Sequence, residues 1–506
     1  MKQASLWFRS NFSPLQQLLL LGFFIRMLSV FFSKGFGWHD DHFLIIEPAQ
    51  NWADGFDNNW IPSEKNPDIQ PQGHSFFYIG IHYYLFKFCA WLHISDPQSK
   101  MLLVRFLHAL WSLLIIKYGY KIALQYADKK VAWYVGLFLT FYWFIPFTSV
   151  RNLVEFVSVP PFLISIYLLK KQALTYKDFL AAGFWLGLAF SIRFQTLFIS
   201  AGIGLALLIY RTSFKNILLL ALSFFTVVFL TQGVIDYVIW KRPFAEFASY
   251  VEYNINNAST YGTDNWHMYF DLILGLLIPP LSIALFAGYF VSWKKMPLLF
   301  WPGIIYLAFH TYFPNKQERF IMTILPLVII SGTAGMFMLY EKHKEKISLK
   351  IIRRCWIFVL VLNSILLCVL TVSYSKKHRV EAMSYLYGKG DSNNFLIEDG
   401  TKESDFLIPP LYYYGKWPSV YGITKLNTAD SALKYYNSLP ENDKPTYVVF
   451  WKAENIENRV TALKKCFPHL NYEATIEPSL IDKTLFWLNP KGNDNQTAFI
   501  YRLPKN

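Results

Sequence analysis

What most constrains this chain is the recurrence of apolar stretches about as long as a hydrocarbon layer is thick. Crossing a bilayer core of roughly 30 Å takes about 20 helical residues. Such stretches recur from Leu15 to Tyr374, at 15–33, 76–94, 101–124, 131–149, 151–170, 178–192, 194–211, 215–235, 268–290, 297–312, 319–340 and 351–374. A composition of 54% hydrophobic and only 16% charged residues excludes a water-soluble or disordered chain. The pattern predicts an all-α polytopic membrane protein.

The basic residues give its orientation. Lys129/Lys130, Lys170/Lys171, Arg211/Lys215, Lys294/Lys295 and the run from Lys342 to Arg354 lie at segment ends, and the positive-inside rule assigns them to the cytoplasm. The formal charge of +14 is therefore read as topology, and no nucleic-acid partner is expected. Residues 1–14 carry Lys2 and Arg9 and are assigned to the same side. An even number of crossings must then precede Lys129, yet three apolar segments do. Segment 76–94, interrupted by His82 and Lys87, is the one expected not to cross, which leaves about eleven transmembrane helices. The first segment is too long for a signal-peptide core and is expected to remain as an anchor.

Outward loops then hold 34–75, 148–155, 193–196, 236–267, 310–319 and everything after Tyr374. From residue 375 the composition turns to Lys, Asp, Asn and Ser, marking a soluble α/β domain over 375–506 beside a membrane domain over 1–374. Strands are expected at 447–451, 484–488 and 498–503, and helices near 429–438 and 455–466. Cys89, Cys355, Cys368 and Cys466 are spaced too widely for a disulfide framework or a metal knuckle.

The polar residues of the outward loops cluster. Between His39 and Glu47 stand three carboxylates, Asp40, Asp41 and Glu47, and two histidines, His39 and His42. In a helix from Asp40 onward, Asp40, Phe43 and Glu47 share a face and Asp41 points away. Such acids suit a general base or a divalent metal, while helix capping by Asp is the competing reading. Arg151-Asn152-Leu153-Val154-Glu155 holds an i,i+4 ion pair that would satisfy itself. Arg193 sits in apolar surroundings and should face a cavity or partner, because exposing a charge to lipid costs a few kcal/mol. The long loop carries Asp236, Asn254, Tyr261, Trp266 and His267, whose aromatics also fit an interfacial belt. His310, Lys316 and Arg319 place cations at the mouth of a helix, as a phosphate-bearing ligand requires.

Taken in order, these motifs resemble the family 22 glycosyltransferases of the GT-C superfamily, the polyprenol-phosphate-mannose-dependent α-mannosyltransferases. That family's His-Pro-Asp-Glu-aromatic-Phe-Gln loop is similar to His39-Asp40-Asp41-His42-Phe43-Leu44, with Glu47 in register. Its Asn-x-x-Glu is met by Asn152 and Glu155, and its Arg-Pro-Thr by Arg193 and Thr196. Its Asp…Asn…Tyr-Gly-x-x-x-Trp-His-x-Tyr is met by Asp236, Asn254 and the run from Tyr261 to Tyr269. Its His-Lys-Glu-x-Arg-Phe looks like Asn315-Lys316-Gln317-Glu318-Arg319-Phe320. His39 stands in place of the motif's Pro, Asp41 of its Glu, Leu44 of its Gln, and Asn315 and Gln317 of the last signature's His and Glu.

The resemblance implies transfer of a sugar, mannose in the family, from a polyprenyl-phosphate donor to a hydroxyl of a glycan or glycolipid acceptor. Transfer would occur on the outer face with inversion. Asp40 is the expected base, and Asp41, Glu47, His39 and His42 are expected to orient it or the acceptor. Arg193, His267, His310, Lys316 and Arg319 are expected to hold the donor phosphate. Asn152, Glu155, Asp236, Asn254, Tyr261 and Trp266 are assigned to the acceptor site or its framework. No cofactor is expected, although Asp40, Asp41 and Glu47 leave a divalent cation open. A flippase for a lipid-linked sugar, a scaffold presenting 375–506, and a GT-C enzyme for another sugar are the alternatives. Truncation at 375 is expected to affect the enzyme less than loss of Asp40. The tail's composition favours a bacterial inner membrane, with the endoplasmic reticulum as the other candidate.

Overall fold

The computed structural model of the chain describes residues 11–57, 60–62, 67–260, 262–491 and 493–503. It divides into two units: residues 1–31, 57–81 and 104–372, and residues 32–56, 82–103 and 373–506.

The first unit is helical, and its helices follow the apolar segments. Pro14–Phe32, Pro97–Tyr126, Phe214–Trp240 and Leu349–Thr371 are long and apolar enough to cross a bilayer; among the described residues these are four, or five if the bent pair Met268–Leu276 and Leu281–Lys294 counts as one span. Shorter apolar helices include Val154–Leu169 and Phe194–Ile209. Their starts are chemical. Asp128 accepts the Val131 N–H at 2.8 Å, and Thr175 and Asp178 form a reciprocal capping box ahead of Tyr176–Ile192. Lipid offers no partner for polar groups, so they must be met inside the bundle. Arg26, fully buried, donates to Ser112 Oγ at 2.7 Å and to the carbonyls of Gly22 and Leu139.

Small residues allow a close helix contact. A Cβ added at Gly335 would meet the Gly288 carbonyl oxygen at 1.9 Å, and one at Gly288 would meet the Gly332 oxygen at 2.2 Å. Leu281–Val291 and Leu325–His343 thus touch backbone to backbone, as membrane helices do where dispersion replaces the hydrophobic effect.

The second unit holds a five-stranded sheet: β1 (Phe395–Glu398), β2 (Tyr421–Ile423), β3 (Tyr447–Trp451), β4 (Asn471–Ile476) and β5 (Ala498–Arg502), in the order β2-β1-β3-β5-β4. β1 is parallel to β2 and β3, and β5 is antiparallel to β3 and β4. Central strands covered on both faces read as continuous apolar runs, and every residue of β1 and β3 is buried. Helices Ala429–Ser438 and Ile456–Cys466 pack on it through Ala432, Val460 and Leu463. The expected strand at 484–488 is instead the end of a helix, Leu480–Leu488. Ser479 accepts the Asp482 N–H and starts it, and Leu480, Thr484 and Leu488 recur at helical spacing. A short apolar run alone does not separate strand from helix.

In this unit the chain following the first membrane helix is joined to the tail. Gly35 forms a parallel bridge with Ser375, the Ser375 N–H donates to the Lys34 carbonyl at 3.1 Å, and Ser33 Oγ donates to the Ser373 carbonyl at 3.1 Å. Gly35 has φ +76°, and a Cβ there would meet the Ser375 oxygen at 1.9 Å, so only glycine permits the approach.

Candidate active site

The acid-bearing loop is helical from His39 to Ala53, but not uniformly so. His42–Ile46 forms a π turn between the α segments His39–Asp41 and Glu47–Ala53. In a π turn the residues that meet lie five apart. Glu47 therefore comes beside His42, with Oε1 3.5 Å from Nε2. This corrects the expectation that Glu47 shares a face with Asp40, which assumed an unbroken 3.6-residue period. Asp41 is buried at 3% exposure, whereas Asp40 is only partly covered and His39 is exposed. Two adjacent acids thus have different surroundings.

Aromatic rings hold this turn. The His42 ring stacks on Phe36 (centroids 4.6 Å apart) and on Tyr413 (5.4 Å), and His39 stacks on Phe43 (4.3 Å). Glu47 Oε1 accepts the Tyr412 N–H at 3.2 Å. The Arg379 guanidinium lies 5.2 Å from the centres of both Phe36 and Phe43, and burial lowers its pKa to about 10. Burial also pulls the His42 imidazole below its ordinary pKa, against the pull of Glu47. Sequence reasoning missed Arg379, Tyr412 and Tyr413, which lie more than 300 positions away and carry no local motif.

The first unit gathers a second set of candidates. Glu155 is fully buried; its Oε1 lies 2.8 Å from Arg193 Nη2 and 3.7 Å from Arg319 Nε. The two arginines are held alike. Arg193 Nε donates to Gln195 Oε1 at 3.0 Å, Arg319 Nε donates to Gln317 Oε1 at 2.8 Å, and their guanidinium carbons lie 5.3 and 5.7 Å from the Phe320 ring centre. An arginine two positions from a glutamine, in mirrored order, was the available signal for the glutamines. The expected Arg151–Glu155 helical pair has no basis, because the chain is non-helical at 151–153 and the helix begins at Val154. Arg151 lies 4.3 Å from the Phe147 ring centre.

His310 is buried and stacked on Tyr306 at 4.1 Å. Its Nδ1 donates to the Tyr306 carbonyl at 2.9 Å, which leaves Nε2 as the acceptor nitrogen. Lys316 Nζ donates to the carbonyls of His310 and Thr311, each at 2.8 Å, and to that of Phe313. All three ammonium protons engage the carbonyls at or just beyond the end of Pro297–Tyr312, where the helix dipole favours a cation.

The remaining candidates have partners of their own. Asn152 Oδ1 accepts from Tyr78 OH at 2.6 Å, and Tyr78 OH also meets His108 Nε2 at 2.7 Å. Asp236 Oδ2 accepts the Glu246 N–H at 3.0 Å, while Glu246 Oε2 accepts the Gly73 and His74 N–H groups at 2.6 and 3.0 Å. Asn254 donates to the Tyr250 carbonyl. His267 and Asp271 form an exposed pair at 2.6 Å, beside the exposed Trp266. Tyr261 lies outside the described residues. Among the described residues no group of three or more His, Cys, Asp or Glu side chains is arranged to hold a metal ion.

The model of the Alg9-like mannosyltransferase family matches residues 17–399. GPI mannosyltransferase 3 of Debaryomyces hansenii is 20% identical over 397 residues, 76% of this chain and 69% of that protein. A Dol-P-Man:Man(7)GlcNAc(2)-PP-Dol alpha-1,6-mannosyltransferase of Arabidopsis thaliana is 27% identical over 216 residues, 40% of this chain and 42% of that protein. Among solved structures, ArnT from Cupriavidus metallidurans bound to undecaprenyl phosphate shares the fold, with a TM-score of 0.60 at 12% identity, covering 96% of this chain and 97% of that one. The chain belongs to the Alg9-like mannosyltransferase family and is a membrane glycosyltransferase.

Proposed function

We propose that the protein transfers mannose from a polyprenyl-phosphate donor to a hydroxyl of a glycan or glycolipid acceptor, on the extracytoplasmic face of its membrane and with inversion. The membrane domain would cross about eleven times, with 375–506 outside. Asp40 takes the acceptor's proton, the freed oxygen bonds to the anomeric carbon, and the bond from that carbon to the phosphate oxygen breaks. The polyprenyl phosphate departs with the bonding electrons. Arg193 and Arg319 meet its growing negative charge, which guanidinium groups do in bidentate fashion. Lys316 and His310 shape the turn that leads into the short helix Glu318–Thr323 bearing Arg319. Asp41, buried beside Asp40, keeps the acid turn in place.

The observation that carries this reading is the meeting of Arg193 and Arg319 on one buried carboxylate. The names of the relatives supply the sugar and the carrier. The test supplies membranes containing the protein with labelled polyprenyl-phosphate mannose. Label should move to an acceptor with the wild-type chain and not with Asp40→Asn. Movement of label from another lipid-linked sugar in preference to mannose would overturn the assignment of the sugar.

A further inference from the structure

The last apolar helix, Leu349–Thr371, buries only Val359 and Thr371 among its 23 residues. Between it and the helices Lys129–Phe141, Leu281–Val291 and Leu325–His343 remains a cavity of about 650 Å³. Its wall is aromatic: Tyr134 lies 5.3 Å from Phe337 and 5.9 Å from Trp356, ring centre to ring centre. Ala284 contributes from the glycine-packed helix. Lys130 and His343, both exposed, bring the polar groups. The Lys130 ammonium lies 5.4 Å from the centre of the Phe337 ring. The basic run containing Lys342, Lys344, Lys346, Lys350, Arg353 and Arg354 occupies the same end of these helices.

This cavity shares no residue with the site above. Arg319 precedes the helix Leu325–His343 and His343 ends it, so about 27 Å of helix lies between the two ends. Ile347 and Ile351 on its wall are exposed, so the cavity opens to its surroundings, and an apolar wall gives water too few partners to settle there. In a bilayer the available filler is an acyl chain. Basic residues at the ends of membrane helices draw anionic headgroups, and basic pockets between such helices hold them. We propose that this cavity is a binding site for an anionic phospholipid, its acyl chain among Tyr134, Phe337 and Trp356 and its phosphate between Lys130 and His343. The lipid would complete the packing of the last span, from which residues 373–506 follow directly.

The test uses the full chain, stripped of lipid in detergent and then given phosphatidylglycerol with a photoreactive group in one acyl chain. Crosslinks should map to peptides containing Tyr134, Phe337 or Trp356. Unlabelled phosphatidylglycerol should compete about fivefold better than phosphatidylcholine, the worth of about 1 kcal/mol for one lysine at the headgroup. Ala284→Phe, or Cys355→Trp should the first fail to fold, fills the cavity and should abolish labelling there. Lys130→Met should erase the headgroup preference and Lys130→Arg should retain it. Equal competition by the two phospholipids, labelling unchanged in the filled variant, or stronger competition by undecaprenyl phosphate would each overturn the proposal.

Discussion

Arg193 and Arg319, far apart in the chain, share one carboxylate: Glu155 Oε1 lies 2.8 Å from Nη2 of the first and 3.7 Å from Nε of the second. Two guanidinium groups beside a fully buried carboxylate form a unit whose parts depend on one another. Removing one member of a buried ion pair commonly costs about 3–5 kcal/mol, because the other charge stays buried.

Glu155→Gln is therefore expected to destabilise the protein by about that amount and to reduce transfer sharply. Thermal unfolding of the detergent-solubilised variant reads the first effect and a labelled-donor assay the second. A variant with wild-type stability would show that the arginines do not depend on Glu155.

Asp40→Asn should lower turnover by about 10²–10⁴, the usual worth of a positioned base, while leaving the unfolding midpoint unchanged, since Asp40 is only partly covered. Asp41→Asn should instead lower the midpoint, Asp41 being 3% exposed. Comparing both variants in both assays separates chemistry from support; interchange of the two patterns would move the base to Asp41.

Glu246 carries a pH dependence. Burial raises its carboxyl from 4.5 to about 7, against the pull of the His74 and Gly73 N–H groups. An acid with a raised pKa in the folded state favours folding through its neutral form. That contribution is complete below about pH 4.5 and is lost as pH rises toward 7. Glu246→Gln keeps an oxygen for both N–H groups without the charge. Relative to the variant, the wild type should lose up to about 3 kcal/mol across that window. Parallel stability curves would rule this out.

Lys316→Met should lower stability by about 1–3 kcal/mol, because it leaves the carbonyls of His310, Thr311 and Phe313 without their donor. Lys316→Arg should recover part of it. The same pair of variants in the transfer assay tests a direct phosphate contact: a loss of activity in the Arg variant larger than its loss of stability would reveal one.

Removal of 375–506 should abolish transfer as fully as Asp40→Asn does. Sequence reasoning expected a smaller effect, but the acid turn packs on that tail through His42 with Tyr413, Glu47 with the Tyr412 N–H, and Gly35 with Ser375. Activity retained in the truncated, membrane-inserted chain would show that the turn holds itself.

The sequence by itself determined the membrane character, the helices along the apolar segments, the strands at 447–451 and near 498, and which polar residues to watch. These follow from local quantities: apolar length, periodicity and charge at segment ends. Only the tertiary structure decided how those residues are used. The π turn that sets His42 beside Glu47, the choice of Arg193 rather than Arg151 as the partner of Glu155, the engagement of Lys316 with a helix end, and the arrival of Arg379 and Tyr413 at the acid turn all depend on contacts between distant residues. Such contacts are selected by packing and by the need to satisfy buried charge, which no local pattern encodes.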